Sequence, residues 1–231
     1  MIFPTPKLNE IHDVGIIALW GNFGVGKTTF ALQTALNTIE QNKNVLYFYT
    51  KPNLPVDKII NIFNFDDKKY PKNKIPNFGI IRLNDFNELY KISFNLEYLF
   101  LKNPNKNRHI DLIIIDSLTD LYNIDLNVGE KERNLTLNYQ LNQILANLTY
   151  LNNTYKVEIL IINETSRKSQ DGLTTEVQSG GRVMTYWITH ALKIERTNVL
   201  NERNFMLTHF IEKIILEFKL IMTKNGFRLL K

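Results

Sequence analysis

A chain of 231 residues with 44% hydrophobic and 22% charged residues has ordinary globular composition and enough apolar content for a substantial core. It contains no cysteine, which excludes disulfides and thiolate metal sites and points to a cytosolic address. The net charge of +5 permits nucleic-acid binding without establishing it, because Asn, Lys and Ile are abundant together, as coding bias would make them.

No window reaches about 18 uninterrupted apolar residues, so no transmembrane helix is expected. Met1-Ile2-Phe3-Pro4-Thr5-Pro6-Lys7 lacks the layout of a signal peptide. His12, His109, His190 and His209 show no metal-ligand spacing, and surface or structural roles are expected for them.

In chain order, residues 14–20 (Val-Gly-Ile-Ile-Ala-Leu-Trp) read as a buried strand and residues 29–41 as a helix. Between them Gly21-Asn22-Phe23-Gly24-Val25-Gly26-Lys27-Thr28-Thr29 fits the phosphate-binding P-loop pattern G-x-x-x-x-G-K-[ST]. The glycines let backbone N–H groups turn toward phosphate with no Cβ in the way. Lys27 can reach the β- and γ-phosphates and the Thr28 hydroxyl can ligate Mg²⁺, while the positive helix end favours an anion.

Residues 44–49 read as a second strand, 55–63 as a short helix and 66–77 as a solvated Lys-, Asn- and Pro-rich connection. A strand at 79–83 and an amphipathic helix at 85–102 follow, and 103–109 is a polar break. Asp111-Leu112-Ile113-Ile114-Ile115-Asp116-Ser117 then presents a carboxylate at the end of an apolar run. A central parallel strand offers a metal ligand at its C-terminal edge in this way, with Asp116 holding Mg²⁺ through water.

Residues 120–133 look like a polar excursion and 134–152 an amphipathic helix. Residues 157–162 form another apolar run, terminated by Asn163-Glu164-Thr165, and the Ser-, Gly-, Thr- and Gln-rich stretch 166–181 reads as a long mobile loop. Residues 186–196 and 210–223 alternate like antiparallel strands closing one sheet edge. The whole is expected to be one α/β domain over residues 1–231: a mostly parallel twisted sheet flanked by helices, with antiparallel strands at the C-terminal edge.

Four stretches together resemble the RecA-like recombinase superfamily and, within it, the short archaeal RadB proteins. They are the P-loop, Asp116-Ser117-Leu118-Thr119 with its helix, Ile162-Asn163-Glu164-Thr165, and Gly180-Gly181-Arg182-Val183-Met184-Thr185-Tyr186-Trp187 leading into the basic strand Ala191-Leu192-Lys193-Ile194-Glu195-Arg196. The likeness spans most of residues 14–224 and implies a RecA-like P-loop ATPase core without the N-terminal helical domain of full-length archaeal recombinases.

The resemblance also implies ATP and Mg²⁺ as cofactors, with Thr28 and Asp116 at the metal and residues 21–29 and Asn163 at the nucleotide. Two DNA-facing loops are implied at residues 118–133 and 165–182, with Arg133, Arg167, Lys168 and Arg182 as phosphate contacts. The bland alternative is that these are solvated loop charges. Implied partners are single- or double-stranded DNA bound without sequence specificity, a RadA-type recombinase or other repair proteins, and further copies of the chain. The implied setting is cytoplasmic and nucleoid-associated.

Two departures bear on the chemistry. Relatives end the second strand in a catalytic Glu, and aligning Tyr47-Phe48-Tyr49-Thr50-Lys51-Pro52 on that element puts Lys51 in its place. Protonated Lys can stabilise phosphate charge but is a poor general base; a shifted alignment would offer Asp57 instead. Relatives also carry Gln where this chain has Glu164, which reads either as a replacement base or as the partner of Lys51 or a loop Arg. The expectation is an ATP-binding, DNA-interacting accessory of recombination and repair with weak hydrolysis. The competing expectation is a KaiC-like assembly or signalling module that does not act on DNA.

Overall fold

The computed structural model describes residues 1–11, 15–63, 77–102, 109–128, 131–170, 173–209 and 213–229. A short helix α1 (Pro6–Asn9) precedes strand β1 (Ile16–Trp20) and helix α2 (Lys27–Glu40). Then come β2 (Asn44–Tyr49), α3 (Val56–Phe63), β3 (Phe78–Arg82), α4 (Phe86–Leu101) and β4 (Ile110–Asp116). Helices α5 (Leu118–Val128) and α6 (Lys131–Tyr155) lead to β5 (Glu158–Asn163) and the pair β6 (Thr165–Gln170) and β7 (Leu173–Gln178). Helix α7 (Gly181–Trp187) and strands β8 (His190–Arg196), β9 (Glu202–His209), β10 (Lys213–Thr223) and β11 (Gly226–Leu229) follow.

Nine strands form one sheet in the order β11-β10-β9-β8-β1-β5-β4-β2-β3. Neighbours from β8 to β3 run parallel and those from β8 to β11 antiparallel. The result is the α/β architecture of a RecA-like core. Strand β1 lies between β5 and β8, so the turn that follows it opens at the C-terminal edges of the parallel strands, where α/β sheets bind ligands.

Strand period decides which core each side chain joins. Ile17, Leu19, Leu112, Ile114, Leu160 and Ile162 pack on one face against α2, α3 and the C-terminal strands. Their chain neighbours Ile16, Ala18, Ile113, Ile115, Ile159 and Ile161 pack on the other, against α4, α5, α6 and α7. Burial on both faces is why β1, β4 and β5 read as continuous apolar runs. Among the described residues no helix is long and apolar enough to cross a membrane.

Several sequence expectations are corrected. The stretch expected as a polar excursion at 120–133 is helical in its described residues, 120–128 in α5 and 131–133 at the start of α6. Leu118, Leu121 and Tyr122 share one helical face and are buried against the core, and Thr119 is buried with them, so the polar residues here do not mark a loop. The stretch expected as a mobile loop at 166–181 is largely an antiparallel ribbon, with Thr165 opposite Gln178 and Lys168 opposite Thr175. A two-stranded ribbon with exposed polar side chains has little apolar alternation to reveal it.

Residues 186–187 end α7, and β8 is parallel to β1 and antiparallel only to β9. The last strands include β9 and β11, neither of which the sequence reading located. The expected connections at 66–77 and 103–109 fall almost wholly outside the described residues, as does Val14.

Candidate functional site

The turn after β1 carries Gly21, Gly24 and Gly26 at positive φ, and Gly26 caps α2 in a left-handed conformation at φ 109°. Two of these glycines are also required by space. A Cβ at Gly21 would stand 2.3 Å from the Ile194 carbonyl oxygen, and one at Gly26 would stand 2.7 Å from Phe227 Cζ. The C-terminal strands brace the loop further: Arg203 Nε donates to the Val25 carbonyl at 3.1 Å, and Arg196 Nη2 to the Phe23 carbonyl at 3.4 Å. Asn22, Phe23 and Gly24 are exposed, whereas Lys27 and Thr29 are buried.

The Lys27 ammonium folds back into the loop, donating to the Gly21 carbonyl at 2.6 Å and the Asn22 carbonyl at 3.1 Å. Its third donor meets Glu164 Oε2 at 2.7 Å. All three N–H groups are thus engaged, and a buried cation is held next to the helix N-terminus.

Asp116 ends β4 and is fully buried. Its Oδ2 accepts from the Tyr47 hydroxyl at 2.8 Å, while Oδ1 has no partner among the described residues. Burial raises the Asp116 pKa, against the opposing charge of Lys51 and the hydroxyls of Thr28 and Tyr47. An orphaned carboxylate oxygen near a threonine hydroxyl fits the oxygen ligands a hard divalent cation prefers. Asn163 ends β5, beside Trp20 of β1, with both side-chain polar atoms buried and unpartnered among the described residues. These groups fit a metal-bound polyphosphate.

Register brings Lys51 to the same edge. Tyr49 of β2 pairs with Asp116 of β4, and the Thr50 N–H donates to the Asp116 carbonyl at 2.8 Å. One residue on, Lys51 Nζ lies 3.3 Å from Glu164 Oε1 and 3.7 Å from Asp120 Oδ2. Burial would lower the Lys51 pKa, but the charges of Asp116, Glu164 and Asp120 outweigh it and the net shift is upward. Lys51 is therefore firmly protonated near neutral pH and has no lone pair for a proton. Asp57 sits in the first turn of α3, and no ion pair among the described residues joins it to this cluster.

Glu164 is shared between Lys27 and Lys51 and stands at the root of the β6–β7 ribbon. Its N–H donates to Thr119 Oγ1 at 3.3 Å and its carbonyl accepts from the Ser179 N–H at 3.0 Å. Arg167 and Lys168 lie exposed on β6, and Arg182 is exposed in the first turn of α7. Arg133 lies on α6, is 54% exposed and pairs with Asp125 of α5 at 3.7 Å, which offsets part of its charge.

Sequence reasoning overlooked Asp120, Tyr47, Thr50 and Glu176. Asp120 follows Asp116 by four residues where the strand turns into a helix, a spacing that could have marked it. Burial raises its pKa, against the charge of Lys51. Nothing local distinguishes Glu176, which meets the P-loop only through the fold.

A RecA-like P-loop core is the class that this sheet order, glycine turn, buried lysine and strand-end aspartate define. No protein-family model matches the chain. It is 31% identical over 189 residues to the DNA repair and recombination protein RadB of Methanococcus maripaludis strain C7, covering 81% of this chain and 79% of that protein. It is 29% identical over 222 residues to another Methanococcus maripaludis RadB, covering 96% and 94% respectively. A RadB from Methanosphaera stadtmanae is 28% identical over 183 residues, covering 79% and 73%. The chain belongs to the RadB family.

Proposed function

We propose that this chain binds ATP·Mg²⁺ at the P-loop and uses the bound nucleotide to control contact with DNA, as an accessory of homologous recombination and repair with weak ATP hydrolysis. One observation carries the reading: Glu164 touches the P-loop lysine with its side chain and begins, through the next residue, the ribbon that carries Arg167 and Lys168. Residues 21–29 would cradle the phosphates, Lys27 would hold the β- and γ-phosphates, and Thr28 with Asp116 would hold the metal. The metal would neutralise phosphate charge. Asn163 and Glu164 would report on the γ-phosphate.

DNA is read as a backbone ligand of Arg167, Lys168 and Arg182, with Arg133 the weaker contact because Asp125 already offsets it. Weak hydrolysis follows from a protonated lysine at the end of β2 and from a Glu164 carboxylate occupied by two ammonium groups. A single core domain, self-association, a RadA-type recombinase partner and a cytoplasmic, nucleoid-associated setting belong to the same reading.

The test is fluorescence anisotropy with labelled single- and double-stranded DNA, with and without a non-hydrolysable ATP analogue and Mg²⁺. Nucleotide-sensitive binding that weakens steeply with salt is the expected result. Absence of DNA binding at low salt would sink this reading and favour a KaiC-like assembly module.

A further inference from the structure

Lys51 and Asp120 face each other at 3.7 Å, each 26% exposed, at the edge of the site. Both are anchored through one residue, Ser117. Thr50, just before Lys51, donates its hydroxyl to the Ser117 carbonyl at 2.9 Å and accepts from the Ser117 N–H at 2.7 Å. The Asp120 N–H donates to Ser117 Oγ at 3.1 Å. Ser117 therefore fixes the backbone on both sides of the pair, and neither side chain relies on a long mobile segment for its place.

The other contact of Lys51 is Glu164, which also holds Lys27. A phosphate arriving at the P-loop competes for Lys27 and repels the Glu164 carboxylate. Once Glu164 is displaced, Asp120 remains to hold Lys51 beside Asp116. An exposed ion pair would contribute little, but this one is about three-quarters buried among further charges, where orientation carries more weight.

We propose that Asp120 is a positioning residue that holds the Lys51 ammonium toward the terminal phosphate, so that Lys51 serves as an in-chain cation distinguishing a nucleoside triphosphate from a diphosphate. The proposal rests on the reading that ATP is held at the P-loop. A diphosphate still finds Lys27, Thr28 and Asp116, but it brings no third phosphate for Lys51. Lys27 keeps a β-phosphate in either nucleotide, so the cation at Lys51, which Asp120 supports, adds to the discrimination made at Asn163 and Glu164.

The experiment titrates the full chain with a non-hydrolysable ATP analogue and with ADP, each with Mg²⁺, by calorimetry. Wild type, Lys51→Met, Asp120→Asn and the double variant are compared, with Asp120→Ser taking the place of any Asp120 variant that does not fold. The wild type is expected to prefer the triphosphate. Each single change should lower that preference by about tenfold while leaving ADP affinity nearly unchanged, and the double variant should lose no more than either single one. A purely structural Asp120 would weaken both nucleotides equally or shift only the melting temperature.

An Asp120→Asn variant that keeps the wild-type preference overturns the proposal, as does a double variant whose loss is the product of the two. A wild type that binds both nucleotides equally overturns this inference alone. A wild type that binds neither overturns the ATP reading beneath it.

Discussion

Asn22 and Glu176, 154 positions apart in the chain, are joined by a 2.9 Å hydrogen bond from the Asn22 side-chain amide to Glu176 Oε1. The carbonyl of the same Asn22 accepts from Lys27. One P-loop residue therefore ties Lys27 to the far strand of the β6–β7 ribbon, where Glu176 also stands opposite Arg167. The ribbon meets the site twice, at its root through Glu164 and at β7 through Glu176. Both contacts are made by carboxylates beside the P-loop, so under the proposed function both would become unfavourable when phosphate binds there.

Glu176→Ala removes one exposed hydrogen bond, worth about 0.5–1.5 kcal/mol at most. Overall stability should hardly change. Amide hydrogen exchange across β6 and β7 should quicken in the nucleotide-free protein, and affinity for a Mg²⁺-bound triphosphate should rise a few-fold at low salt as a nearby negative charge is lost. Unaltered exchange in β6 and β7 would mean that the Asn22 contact does not hold the ribbon.

Glu164→Gln and Lys51→Glu address hydrolysis. In the resting site Glu164 is spent on two ammonium groups, so replacing it should change steady-state ATP turnover by less than about threefold, whereas losing a working general base costs about 10²–10⁴-fold. Lys51→Glu places a carboxylate at the end of β2, and turnover at saturating ATP should rise even though triphosphate affinity falls. A hundredfold loss in Glu164→Gln would instead identify Glu164 as the base. No gain in Lys51→Glu would undercut the alignment that places Lys51 there.

The parts of the site legible in the sequence were those carried by local pattern. The glycines at 21, 24 and 26 announce a loop by spacing, and Asp116 announces itself by ending a run of isoleucines. Lys51 and Glu164 were visible as departures, but their shared contact depends on the β2–β4 and β4–β5 registers. The ribbon at β6–β7 was misread because strand signals come from burying alternate apolar residues, and Arg167, Lys168 and Ser169 have no core to face. Asp120 and Glu176 were missed for a related reason: each acts across the fold on a residue distant in sequence.

His190 gives a pH dependence with a definite sign. It stacks edge-on against His209 with ring centroids 5.0 Å apart, and the two are cross-strand partners on β8 and β9. Burial, and then the charge of His209, lower the His190 pKa below its usual 6.5. The unfolded chain thus takes up this proton first as pH falls. The contribution of His190 to stability is fully present above about pH 6.5 and is lost as pH drops through that value toward the lower folded-state pKa. Urea unfolding at pH 7.5 and 5.5 should show a smaller acid loss in His190→Gln than in the wild type. An equal loss in both would assign the acid sensitivity to other groups.

Phe30 links the core to the phosphate loop. It is fully buried, and its N–H donates to the Gly26 carbonyl at 2.9 Å, one turn into α2. Its ring lies 6.0 Å from Phe3, 5.4 Å from Phe205 and 5.9 Å from Phe227, centroid to centroid. Phe227 is also the ring that leaves no room for a Cβ at Gly26. Phe30→Ala should cost about 3–5 kcal/mol, a large share of the roughly 5–15 kcal/mol typical of a whole domain. Phe30→Leu keeps most of the volume and should cost less than about 1.5 kcal/mol. Because the cavity opens beneath the first turn of α2, phosphate affinity should fall in Phe30→Ala even at low urea, where the chain is still folded. Urea titrations followed by far-UV circular dichroism, paired with nucleotide binding in the folded baseline, separate the two effects. A stability loss without any loss of affinity would mean that the loop is braced by Arg203 and Arg196 alone.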